Sequence, residues 1–184
     1  MIDNITYRQY LQLDNDKQAE YNFYIRYAIR FNQSIDVFKI GDLTEQKFGL
    51  VKDLQFDVEQ GLSFSSTVEY IAKIKNKKQS IIANCYLDKL CQQRKYLISE
   101  IERISEIESI ALSYTPTADE INAGIEQLNS LGSYLQFRSI AQALNITIND
   151  VKAMRYDEAF LELVAQKKIN DYQDRLQKII ANKK

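Results

Sequence analysis

Apolar residues recur along this chain mostly at intervals of three and four, which is the period of an α-helix and not the alternation of a strand. The first run, ITYRQYLQL at 5–13, reads as a short helix through Ile5, Tyr10, Leu11 and Leu13, stopped by Asp14, Asn15 and Asp16. Residues 17–32 predict an aromatic helix carrying Tyr21, Tyr24, Tyr27 and Phe31. SIDVFKI at 34–40 is the one extended candidate. GDLTE at 41–45 opens a helix whose Asp42 and Glu45 have capping-box spacing, and whose buried stripe is Phe48, Val51, Leu54, Gln55 and Val58, ended by Gly61. Ser63 and its neighbours cap a helix to residue 75, and KNKK at 75–78 breaks it.

The longest predicted element is 79–113. Leu87, Leu90, Leu97, Ile101, Ile104 and Ala111 fall on one seam, widened by Ile81, Ile98, Ile107 and Ile110. At 1.5 Å per residue such a helix would run about 50 Å. Arg94 and Glu108 share the seam, so they need partners or water. Pro116 marks a boundary, and Thr117 with Glu120 forms a capping box after it. Helices are expected at 118–131, 135–144, 148–154 and 157–181, punctuated by Gly132 and Asn145. No internal repeat is evident. The pattern predicts an all-α helical bundle in three parts: 1–78, a long central helix at 79–115, and a C-terminal helical subdomain at 116–184.

Composition narrows the chemistry. The chain has 184 residues, no His and no Trp, one Pro and five Gly. Without His, Ser-His and Cys-His nucleophile pairs and His metal ligands are excluded. Cys85 and Cys91 have neither redox-pair nor zinc-site spacing and read as reduced, buried thiols. Glycine is too sparse for a phosphate cradle, and no paired-carboxylate motif stands out. Catalytic, metal and cofactor residues are therefore expected to be none, and the chain is expected not to be an enzyme. No targeting segment or membrane-length apolar run is visible, so a soluble, cytoplasmic protein is expected.

Lys plus Arg is 24 and Asp plus Glu is 25, which gives no global attraction to nucleic acid. Charge is nevertheless patterned. Lys73, Lys75, Lys77 and Lys78 open a basic block at 73–95, and Glu102 and Glu106 belong to an acidic block at 100–126. Opposed blocks suit head-to-tail contacts between copies, and are equally consistent with a solvated face. FRSIAQALNITINDVKAMRY at 137–156 has the packing pattern of a helix-turn-helix, with Ile140, Ala141, Leu144, Ile146 and Val151 inward and Asn145 at the turn. Its DNA-facing residues would be Thr147, Asn149, Lys152 and Arg155, poorly basic and mixed with Asp150 and Asp157.

The stretches ITYRQYLQLD and SIAQALNITINDVKAMRYDEAFLELVAQKKINDYQDRLQKI resemble the ends of small helical proteins encoded among tailed-bacteriophage head, neck and tail genes. The resemblance implies a virion component or a tail-assembly chaperone. Its partners would be other copies of itself and other virion proteins. It would occupy the host cytoplasm during assembly and then the particle, with no membrane. Tyr21, Tyr24, Tyr27, Phe31, the four lysines, Glu102 and Glu106 are the expected assembly residues. A DNA-binding regulator or packaging factor is the alternative.

Overall fold

The computed structural model describes residues 5–19, 21 and 40–181. Among these the structure is helical, without a strand, and the all-α expectation holds. The helices are α1 (Tyr7–Tyr10), α2 (15–19 and 21), α3 (Phe48–Glu59), α4 (Phe64–Lys75), α5 (Gln79–Ile82), α6 (Leu87–Ala111), α7 (Ala118–Asn122), α8 (Ser133–Leu144), α9 (Ile148–Ala153) and α10 (Tyr156–Ala181). Short 3-10 turns lie at Leu43–Glu45 and Ile125–Leu131. Contacts divide the chain into two compact units. The first holds the described residues up to Asp42 together with Leu54–Glu102, and the second holds Leu43–Asp53 and Arg103 onward.

In the first unit Ser63 caps α4, accepting from the Ser66 N–H at 3.0 Å, and Asn76 ends it in the left-handed conformation. The expected single helix over 79–113 is broken at 83–86. The reason lies elsewhere in the chain. The N–H groups of Tyr7 and Arg8 donate to the carbonyls of Cys85 and Ala83, and the Leu87 N–H donates to the Ile5 carbonyl. Carbonyls that would have continued the helix pair instead with residues 5–8, and Thr6 bridges Tyr86. α6 therefore runs 25 residues, about 37 Å, and α10 with 26 is the longer helix. The core collects Tyr7, Tyr10, Leu62, Ile71, Ile82, Leu87, Leu90, Leu97 and Ile101. The seam positions hold, but Ile81, Ile107 and Ile110 lie outside it, with Ile110 70% exposed.

In the second unit the predicted start at 41–45 is only a 3-10 turn, and α3 begins at Phe48. Its first N–H donates to the Met154 carbonyl at 2.8 Å, the Tyr156 N–H donates to the Gln46 carbonyl at 2.8 Å, and Lys47 bridges Arg155. Phe48, Val51, Ile104, Phe137, Ile140, Val151, Tyr156 and Ala159 form the core. The Thr117–Glu120 box forms as expected, but the helix it starts stops at Asn122 and gives way to the 3-10 turn.

The two units share one plan, contrary to the expectation of no internal repeat. A 12-residue helix (α4, α8) ends on a left-handed asparagine (Asn76, Asn145). A short helix follows (α5, α9), then a bridge residue (Tyr86, Arg155), then a long helix (α6, α10). Each feature of the second set follows its counterpart at one constant offset along the chain. Buried positions correspond as well: Val68 with Phe137, Ile71 with Ile140, Ala72 with Ala141, Ile82 with Val151, Leu87 with Tyr156, Leu90 with Ala159. The bridging strand-like residues match too, since Tyr7 donates to Cys85 as Phe48 donates to Met154.

Candidate interaction surface

The corner formed by α8 and α9 is held by local chemistry. Asn145 takes a φ of 53°, and the Ile146 N–H donates to the Ala141 carbonyl at 3.0 Å. Thr147 and Asp150 cap α9 reciprocally. The Asp150 N–H donates to Thr147 Oγ1 at 3.2 Å, while Asp150 Oδ2 accepts from the Thr147 N–H at 3.0 Å and its hydroxyl at 2.6 Å. Those bonds hold the Asp150 carboxyl below the usual carboxylate range. Leu144 and Ile146 do not pack the angle, however; Leu144 is 42% exposed.

The four DNA-facing candidates are on the surface but are engaged locally. Thr147 is the cap. Asn149 and Lys152 are exposed, and the Lys152 ammonium lies 5.2 Å from the centre of the Phe137 ring. Arg155 forks onto Asp157, with Nε to Oδ1 at 3.1 Å and Nη2 to Oδ2 at 2.7 Å. The corner thus keeps most of its charge for itself. By the shared plan, Lys77 and Lys78 fall where Ile146 and Thr147 fall in the second unit.

Of the assembly candidates, Tyr21 is half-buried with its ring edge-on to Tyr10 at 6.4 Å, and Tyr24, Tyr27 and Phe31 lie outside the described residues. Lys73 pairs with Glu69 at 2.6 Å and lies over Tyr70. Lys75 is half-buried, and Lys77, Lys78, Glu102 and Glu106 are exposed. The basic block is not one surface. Arg94, counted in it, turns inward, donating from Nε to the Leu62 carbonyl at 2.7 Å with its guanidinium over Phe64.

Glu108, the other charge on the seam, has a partner the sequence reading missed. Lys52 Nζ lies 2.6 and 2.8 Å from its two oxygens, and the Tyr156 hydroxyl donates to it at 2.7 Å. The side chains of Lys52 and Glu108 are 6% and 12% exposed. Burial and the Glu108 charge push the Tyr156 phenol up, so it stays a donor. The available signal was Lys52's position one turn after Phe48, on the buried stripe of α3. These three residues, from α3, α6 and α10, form a buried ionic cluster inside the second unit. Among the described residues no group of His, Cys, Asp or Glu side chains could hold a metal ion.

The conspicuous outward feature is apolar. From Lys168 to Ala181 every residue of α10 is exposed, yet Ile169, Tyr172, Leu176 and Ile179 recur at three, four and three, with Ile180 beside them. The preceding segment exposes Ile110, Ile121, Leu128, Leu131 and Tyr134 as well. The Tyr114 hydroxyl donates to Glu120, and that hydrogen bond, helped by the charges of Glu120 and Asp174, raises its pKa. Among the described residues no helix is long and apolar enough to cross a membrane. Compared with family models, curated proteins and solved structures, the chain matches none of them.

Proposed function

We propose that this chain is a non-enzymatic structural subunit that works by protein–protein assembly, of the kind found in tailed-phage particles. The observation that carries the assembly reading is the apolar stripe on the outer end of α10, a helix end with no partner in its own chain among the described residues. Large contiguous apolar exposure of this kind marks interaction sites in soluble proteins. The placement in a phage particle rests on the sequence resemblance alone. A tail-assembly chaperone is a second reading of the same surface.

DNA binding by the corner draws little support, because Arg155 is neutralised by Asp157 and α9 has only six residues. The test has two parts. Mass spectrometry of purified particles should find the chain if it is a virion component, and find it only in infected-cell extract if it is a chaperone. A gel shift with duplex DNA should show no salt-dependent complex; a complex that weakens steeply with salt would favour the corner.

A further inference from the structure

We infer that the outer end of α10, residues 168–181, docks against the same helix of a second copy of this chain, side by side and parallel. The inference rests on the assembly reading and names the surface. The spacing of Ile169, Tyr172, Leu176 and Ile179 is that of a coiled-coil seam, whose partner must be a helix with matching spacing. The identical helix of another copy meets that need. At roughly half exposure each, these residues and Ile180 offer on the order of 500 Å² per copy. Two copies with their flanking side-chain stems then reach the region of about 1,200 Å² at which specific interfaces begin.

Charge selects the direction. Lys168 and Arg175 border the stripe on one side, and Gln173 and Ile180 border it on the other. Antiparallel packing would set the basic border against its own copy. Parallel packing sets it against the uncharged border of Gln173 and Ile180, where the Gln173 amide oxygen can accept from Lys168 of the second copy. The shared plan of the two units adds an independent point. In α6, Ile104 is buried and the Glu108 side chain is 12% exposed inside the second unit, so one face of that helix end is packed although Ile107 and Ile110 face outward. The equivalent turns of α10 are bare. A repeat whose end is left apolar calls for a neighbour.

The experiment is sedimentation of the full chain at high micromolar concentration, with Leu176→Glu and Ile169→Glu as variants. Both positions are exposed, so circular dichroism should show unchanged helix content. The expected result is a self-associating wild type and variants shifted to monomer. In a Cys85→Ser background, Leu176→Cys should form an intermolecular disulfide with itself on mild oxidation, since facing seam positions come within disulfide reach. Three results would overturn the inference. One is association unaffected by either Glu variant, which leaves assembly through another surface. Another is cross-linking only between Tyr172→Cys and Leu176→Cys chains in a mixture, which reports antiparallel pairing. The third is a monomer at every concentration. A monomer that is still found in particles overturns only this pairing, whereas one that is also missing from particles and binds no virion protein overturns the assembly reading too.

Discussion

Replacing Glu108 with Gln should destabilise the second unit more than any other single exposed or half-exposed charge in the chain. The substitution keeps the shape but removes the negative charge 2.6 Å from the Lys52 ammonium, whose side chain is 6% exposed. Breaking a buried pair by removing one partner costs about 3–5 kcal/mol, because the remaining charge is stranded in low dielectric. Lys52→Met strands the carboxylate and should cost a similar amount, eased by the hydroxyl of Tyr156, which already donates to it. Tyr156→Phe removes one hydrogen bond to a charged acceptor and should cost about 1.5–3 kcal/mol. The triple replacement Lys52→Met, Glu108→Leu, Tyr156→Phe removes these three polar groups together. It should recover to within about 1 kcal/mol of wild type, since an apolar substitute avoids the desolvation of two ions. The assay is urea unfolding followed by far-ultraviolet circular dichroism, with a double-mutant cycle for Lys52 and Glu108. A coupling energy below about 0.5 kcal/mol, with single variants near wild type, would refute the reasoning: the pair would then be solvated.

Asn76→Ala and Asn145→Ala should each cost about 1 kcal/mol in urea unfolding, since both residues hold positive φ, while Asn→Gly at either place should cost little. Burial pushes the Cys91 thiol up to about 12 and also raises Cys85, so both should react slowly with a disulfide reagent at neutral pH, and Cys91 fully only after unfolding. Asp150 is held below the ordinary carboxyl range by its capping bonds from Thr147, and Glu120 by the hydrogen bond from Tyr114 together with its capping bonds, so their stabilisation is fully present above pH about 4.5 and lost as pH falls through their lower folded values. In an acid titration followed by nuclear magnetic resonance, α7 and α9 should therefore fray, and Asp150→Asn should remove the pH dependence at α9.

The elements with local signals were legible in the sequence. Ser63, Thr117 and Thr147 cap helices through bonds that reach only three residues along the chain, and Asn145 bends the chain by its own φ. What was not legible came from distant chain. The break at 83–86 is written in residues 5–8, whose N–H groups take the carbonyls a longer helix would have used. α3 starts at Phe48, and not at the capping-box spacing of Asp42 and Glu45, because Met154 supplies an acceptor from the far end of the sequence. Glu108 announced its need for a partner by sitting on an apolar seam, but nothing local identified Lys52. The internal repeat escaped because a fold of this kind requires only small or apolar side chains at a few positions and a left-handed residue at one. Val68 and Phe137, or Leu87 and Tyr156, satisfy the same burial with different side chains.

The stripe proposed as the interaction surface is not among the residues that the sequence pointed to. Of the aromatic residues near the start of the chain, Tyr7 and Tyr10 belong to the core, stacked at 6.1 Å with Phe64 beside Tyr7, while the expected assembly residues Tyr24, Tyr27 and Phe31 lie outside the described residues. The outer end of α10 is polar on average, because Lys, Asp, Gln and Asn outnumber its apolar residues. Average polarity conceals a narrow stripe, and a coiled-coil seam is narrower than the face a core-packing helix needs. The exposed pair Ile107 and Ile110 of α6 corresponds, at the repeat offset, to Leu176 and Ile179 of α10. Two helices of one plan therefore keep large apolar groups outward at the same two positions. In α10 the pair is extended by Ile169 and Tyr172 into four successive contacts. Four outward apolar groups on one stripe have more to gain from burial against a neighbour than the two of α6.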